Sequence, residues 1–129
     1  MMIKPEIVAA DDQKIGEILA MVQKNGFRIR NLALRHLDRV TVERFYAVHK
    51  ERPFFKDLVE YIISGPVVAV HLERVNTIVK LRELVGATNP ADAACGTIRA
   101  LYGAELSQNA VHASDSVENG QVEIGIIFG

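Results

Sequence analysis

The sequence predicts an α+β domain in which an antiparallel sheet is covered by helices. Three observations predict it. Apolar residues recur at helical spacing in several separate stretches, such as Ile15, Ile18, Leu19 and Val22. The run from Pro66 to Leu72 is nearly all apolar and β-branched, so it reads as a buried central strand. Strand-like and helix-like segments do not alternate in the strict order that a parallel sheet needs.

The elements follow in chain order. The stripe from Ile15 to Val22 is a helix that Asp11 or Asp12 can cap and Asn25-Gly26 stops. Phe27 to Leu37 alternates like a strand in two pieces: Phe27 and Ile29 share one parity, Leu32 and Leu34 the other. Asn31, between them, marks a bulge or a change of face. Val42, Phe45, Tyr46 and His49 form a second helical stripe after Thr41, and Arg52-Pro53 breaks it. Phe55, Leu58, Val59 and Ile62 form a third, ended by Gly65-Pro66. After the central strand, Asn76 or Thr77 opens a helix with Ile78, Leu81 and Val85 inward and Gly86 as its stop. Thr88-Asn89-Pro90 begins a short helical turn, because Pro suits the first helical position, and Gly96 ends it. Ala110-Val111-His112 is a short strand. The tail has two readings. Val122, Ile124, Ile126 and Phe128 alternate like a strand, whereas Ser116 can cap a helix that Gly120 and Gly125 would weaken.

Composition narrows the function classes. A chain of 129 residues with 49% hydrophobic content is expected to form one domain over residues 1–129 with a core that needs no metal or disulfide. Fifteen basic and sixteen acidic residues leave a net charge of −1, which argues against a nucleic acid partner. Cys95 stands alone, so a reducing compartment fits. No apolar run reaches the ~20 residues of a membrane span, and the N-terminus lacks a leader layout. The expectation is a cytoplasmic protein without a membrane partner.

Phosphate-cradling P-loops, dinucleotide fingerprints, zinc spacings and hydrolase elbows are all missing. A concentrated polar segment is present instead, Asn109 to Ser116, with His112 after two small apolar residues. Its imidazole can serve as nucleophile, general acid or base, or metal ligand. The competing reading is a strand-end histidine followed by a Ser/Asp helix cap. Arg82, Thr88, Asn89 and Arg99 form a second cluster, in which forked guanidinium donors would suit phosphate oxygens. Two solvated surface arginines are the alternative. In Arg52-Pro53-Phe54-Phe55, an outward ring could stack on a base, or both rings could enter the core. His71 reads as a hydrogen-bonded histidine of the core or of an interface.

Together these pieces resemble the nucleoside diphosphate kinase family. The matching runs are Ile3-Lys4-Pro5-Glu6, Phe45-Tyr46, Arg52-Pro53-Phe54-Phe55, Ser64-Gly65-Pro66-Val67-Val68, Gly86-Ala87-Thr88-Asn89-Pro90-Ala91, Gly96-Thr97-Ile98-Arg99 and Asn109-Ala110-Val111-His112 with Ser114-Asp115-Ser116. They stand in the family's order across almost the whole chain. The resemblance implies a four-stranded antiparallel ferredoxin-like sheet and favours the helical tail. It implies that His112 carries a phosphoryl group from a nucleoside triphosphate to a nucleoside diphosphate by ping-pong transfer. Glu123 would bond the other ring nitrogen and Tyr46 would sit beside the imidazole. Arg82, Thr88 and Arg99 would hold the phosphates. Lys4 and Asn109 would bond the ribose hydroxyls, with Lys4 also in reach of the phosphates. Phe54 and Leu106 would clamp the base by its faces, which reads no base edge. Mg²⁺ would be held mainly by the nucleotide. A homo-oligomer, tetramer or hexamer, is expected.

Three departures from the family pattern bear on this. Ala113 stands where the family has Gly, and a positive φ there would strain it. Arg74 likewise replaces a turn Gly. Only Met1, Met2 and Ile3 precede Lys4, so the first strand should be short. Arg74 lies away from the chemistry, but Ala113 and the short N-terminus motivate the alternative of a catalytically impaired nucleotide-binding or scaffold relative.

Overall fold

The computed structural model describes all 129 residues. Its strands are β1 (Met2–Ile3), β2 (Arg28–Arg35), β3 (Val67–Glu73) and β4 (Val111–His112). They form one four-stranded sheet in the order β2-β3-β1-β4, with every pair antiparallel. The helices are α1 (Pro5–Ala9), α2 (Lys14–Lys24), α3 (Arg39–Phe45), α4 (Phe55–Ile62), α5 (Thr77–Val85), α6 (Ile98–Tyr102) and α7 (Val117–Phe128). Short 3₁₀ turns lie at Ala47–His49 and Pro90–Asp92. This is the ferredoxin-like α+β fold. No helix is long and apolar enough to cross a membrane.

β3 explains its own unbroken apolar run. Val68 and Val70 face a core built with Ile18, Val22, Leu81 and Ile98, from α2, α5 and α6. Val67 and Ala69 face a second core built with Val42, Val59, Ile62 and Ile127, from α3, α4 and α7. A strand with helices on both faces has no polar side, so alternation vanishes. β1 is as short as expected, yet it pairs on both edges: Met2 opposite Ala69 and His112, Ile3 opposite Val68 and Val111. β2 carries a bulge, one of the two readings open at Asn31, and it falls one residue earlier. Its register shifts between Ile29 and Asn31, which leaves Arg30 extra, and Arg30 forks onto Glu73 at 2.7 and 3.1 Å. β2 is an edge strand, and Leu32 and Leu34 are 47% and 66% exposed on it. His71 is only half-buried on β3, not enclosed in the core.

Helix ends follow local chemistry, with corrections. The N-cap of α2 is Gln13 rather than Asp11 or Asp12, although the Asp12 carboxylate accepts from the Lys14 N–H at 2.9 Å, and the helix ends at Lys24, with Asn25 as C-cap before Gly26 with φ 86°. α3 begins earlier than a stripe after Thr41 implies, because Asp38 caps it. The Asp38 carboxylate accepts from the Thr41 N–H at 2.8 Å, so the helix starts at Arg39. The stripe to His49 is also not one helix, since α3 ends at Phe45 and a 3₁₀ turn follows. Two short helices, α1 and α6, escape the periodicity reading because five residues hold barely one repeat. The tail is the helix α7, with the Ser116 hydroxyl accepting from the Asn119 N–H at 3.0 Å. Arg74 has no positive φ. The left-handed residue of that turn is Asn76, with φ 56°, and the Arg74 guanidinium packs 5.2 Å from the Phe27 ring centroid.

Candidate active site

The site is built on the approach to β4. Ala110 adopts φ 75°, and the Val111 N–H returns to the Asn109 carbonyl at 2.9 Å. This is a γ-turn of the rarer, strained hand. Such a non-glycine residue costs roughly 1–3 kcal/mol and persists only where its surroundings over-determine it. Here Ala110 is fully buried, and its carbonyl accepts from the Lys4 N–H at 2.8 Å, which ties the turn to the end of β1. Asn109 and His112, on either side of the turn, both line one cleft of about 1070 Å³.

The His112 ring is fixed from three directions. Phe45 and Tyr46 meet it edge-on, with centroids at 4.9 and 5.4 Å. Its Nε2 lies 2.6 Å from Oε1 of Glu123 on α7, and the Ser114 hydroxyl donates to the same oxygen at 2.9 Å. A carboxylate only accepts, so Nε2 carries the proton and the Nδ1 lone pair is left unengaged. Burial lowers the His112 pKa from its ordinary value, and the bond and charge of Glu123 offset this only in part. The ring is therefore neutral at pH 7.

Cations line the same cleft as the ring. Arg99 is held firmly: one Nη donates to the Gly86 carbonyl at 3.1 Å and the other to the Val111 carbonyl at 2.9 Å. Gly86 is required there, because it has φ 91° and a Cβ would fall 2.6 Å from the Thr97 hydroxyl. Arg82 is held lightly, by one donation to the Ala113 carbonyl at 3.5 Å. The Lys4 ammonium donates to Asn109 Oδ1 at 2.6 Å, and Asn109 Nδ2 donates to the Thr88 carbonyl at 2.9 Å. Burial, then Arg99, lowers the Lys4 pKa to about 8. The Tyr46 hydroxyl and Arg99 Nε are buried with no hydrogen-bond partner. Leaving such atoms unpaired costs about 1–3 kcal/mol each, so both are poised for a ligand.

Phe54 and Leu106 stand at the mouth, 48% and 60% exposed, as rings and side chains that enter no core. Lys4, Tyr46, Phe54, Arg82, Thr88, Arg99, Leu106, Asn109, His112 and Glu123 all line the one cleft. His112 does end β4 ahead of the Ser116 cap, and Arg82 is exposed while Arg99 is half-buried, yet all three side chains line the cleft. Sequence reasoning missed the parts played by Phe45, Ala110 and Ser114. Ser114 lay inside the polar run already singled out. Ala110 gave no signal, since alanine has no preference for positive φ. Ala113 lies outside the left-handed region, so the strain considered for it is absent. No group of three or more His, Cys, Asp or Glu side chains is arranged to hold a metal ion.

A ferredoxin-like domain that turns an imidazole, two arginines and a lysine into one cleft has the chemistry of a protein that handles phosphorylated ligands. The comparisons with known proteins are specific. The family model described as nucleoside diphosphate kinase matches residues 1–129. The nucleoside diphosphate kinase of Chlamydia caviae is 52% identical over 126 residues, covering 98% of this chain and 88% of the relative. That of Chlamydia trachomatis serovar L2 is 50% identical with the same coverage. Among solved structures, the Aquifex aeolicus nucleoside diphosphate kinase aligns with TM-score 0.95 and 40% identity, over 99% of this chain and 92% of that one. A Halobacterium salinarum nucleoside diphosphate kinase in complex with CDP aligns with TM-score 0.92 and 36% identity, over 98% and 84%. The chain belongs to the nucleoside diphosphate kinase family.

Proposed function

We propose that residues 1–129, as one domain, catalyse ping-pong transfer of the γ-phosphoryl group of a nucleoside triphosphate to a nucleoside diphosphate through His112. The observation that carries this is the unengaged Nδ1 of a neutral imidazole, fixed by Glu123 in a cleft shared with Arg82 and Arg99. In the first half-reaction the Nδ1 lone pair attacks the γ-phosphorus. The P–O bond to the β-phosphate breaks, and its electron pair leaves with the nucleoside diphosphate. The product is an Nδ1-phosphohistidine. A second nucleoside diphosphate then attacks that phosphorus, the P–N bond breaks, and its electrons return to the ring. The imidazole needs no deprotonation step, because Nε2 keeps its proton throughout.

The remaining residues bind and orient. Arg82, Arg99 and Thr88 hold phosphate oxygens, and Arg99 Nε gains the partner it lacks. The Tyr46 hydroxyl stays protonated, since burial and then the Glu123 charge raise its pKa, and it donates toward the transferred group. Lys4 and Asn109 contact the ribose hydroxyls, with Lys4 in reach of phosphate. Phe54 and Leu106 close on the base faces. The Halobacterium relative, solved in complex with CDP, supports nucleotide binding by this chain.

The donor set fits a Mg²⁺ carried on the nucleotide, because that ion favours phosphate oxygens and water over a protein cage, and the cleft offers no cluster of ligands. When bound, Mg²⁺ offsets the phosphate charge. A homo-oligomer, tetramer or hexamer, belongs to the same reading. The unpaired edge of β2, with exposed Leu32 and Leu34, supports it. A cytoplasmic setting suits the lone Cys95.

The test is incubation with γ-labelled ATP and Mg²⁺. We expect acid-labile, base-stable label on the protein, lost in His112→Asn and discharged by a nucleoside diphosphate. Label that persists unchanged in His112→Asn overturns the reading.

A further inference from the structure

The mechanism leaves one part-buried pair beside Lys4 unused: Glu6 and Tyr61. Lys4 sits where β1 gives way to α1, and Pro5 fixes the first helical position after it. Its ammonium is 5.9 Å from the centroid of the Tyr61 ring on α4. Two residues on, in the first turn of α1, lies Glu6. The Tyr61 hydroxyl bridges both oxygens of the Glu6 carboxylate in a part-buried contact. Lys4, Tyr61 and Asn109 line the cleft, but Glu6 does not. Glu6 therefore has no route to a bound nucleotide except through its neighbours.

We propose that Glu6 and Tyr61 are positioning residues that keep Lys4 charged and aimed at Asn109. This rests on Lys4 serving the nucleotide, as argued above. An ammonium withdrawn from water beside a guanidinium needs an anion nearby. Arg99 repels Lys4, while Glu6 is the carboxylate whose charge supports its protonated form. The other groups facing it are the Tyr61 ring and, across the cleft, His112, on which the Lys4 charge acts unfavourably. A carboxylate free to rotate would swing to solvent or bond the ammonium directly and draw it off Asn109. The Tyr61 hydroxyl opposes both, because its one proton, shared between the two Glu6 oxygens, anchors the carboxylate in place. Meanwhile its ring gives the cation a π face. The arrangement holds Lys4 as a cation through neutral pH without making it half of a closed ion pair.

The experiment follows the Lys4 ammonium itself, by NMR of ε-carbon-labelled lysine in the nucleotide-free protein, alongside the pH profile of phosphoenzyme formation from MgATP. In Glu6→Gln the Lys4 titration midpoint should fall by about one pH unit, and the alkaline limb of kcat/KM should fall with it. Glu6→Asp should restore most of the shift. Tyr61→Phe keeps the ring and removes the clamp, so it should move the midpoint and raise KM more than it lowers kcat. A midpoint unmoved in Glu6→Gln overturns the proposal. Should that variant fail to fold, an unmoved midpoint in Tyr61→Phe overturns it equally. The titration needs no turnover, so loss of the phosphoenzyme reading would leave this test standing.

Discussion

His112 Nε2 and Glu123 Oε1 lie 2.6 Å apart, although one residue ends a strand and the other sits in the second turn of α7. The bond sets the tautomer, and with it which nitrogen can attack. Removing only the charge tests this. Glu123→Gln should slow phosphoenzyme formation about 10–100-fold, the worth of a charge-assisted hydrogen bond. Glu123 raises the His112 pKa, so the same variant should move the acid limb of the rate profile to lower pH. Rapid-quench labelling across pH 4–8 measures both. A limb that moves to higher pH would contradict the assigned role.

The wild-type acid limb itself should lie below the ordinary histidine value of 6.5, because burial lowers the His112 pKa. The sign for stability is the same. The unfolded chain takes up the His112 proton first, so the ring's share of stability is full above 6.5 and declines as pH falls below it. Denaturant titrations of wild type and His112→Gln should therefore converge in acid.

The two arginines should separate. Arg82→Ala breaks one long contact to a carbonyl, so it should cost about 10²–10³ in kcat with little change in Tm. Arg99→Ala removes the two N–H groups that donate to the Gly86 and Val111 carbonyls, so it should lower stability by about 1–3 kcal/mol as well as activity. Thermal unfolding beside steady-state kinetics distinguishes them.

Ala113→Gly should not rescue anything. Ala113 needs no positive φ, so the glycine offers no relief of strain. It adds chain entropy instead. Labelling rates should stay within about threefold, and stability should fall by about 0.5–1 kcal/mol. A large gain in rate would instead mean that the methyl crowds the phosphate.

Lys4 should trade stability for function. Its folded pKa of about 8 is below the ordinary 10.5, so the folded state holds that proton less well than the unfolded chain. The penalty is full below pH 8 and vanishes above 10.5. Lys4→Met should then stabilise the protein at pH 7 by up to about 3 kcal/mol, with the gain fading toward pH 10.5 and with nucleotide turnover impaired. Paired melts at pH 7 and pH 10 check it.

The sequence by itself determined the fold class, the inner strand and the ordered runs that carry the family resemblance, and it narrowed the irregularity of β2 to the neighbourhood of Asn31. Each is a local property. Burial on both faces erases alternation in β3, and a residue type with a fixed chemical habit marks each run. The helical tail was not fixed by pattern, since Val122 to Phe128 satisfies a strand's period as well as a helix's. The Ser116 cap and the docking of Ile127 against α3 and α4 decided it. Tertiary structure alone brought Tyr61 to Glu6 across 55 positions and Arg99 to the Gly86 carbonyl. It also forced Ala110 into a γ-turn. Periodicity says which face a side chain takes, but not which distant group meets it there. That meeting depends on how helices from both layers close over the same sheet, and the His112 site lies where they converge.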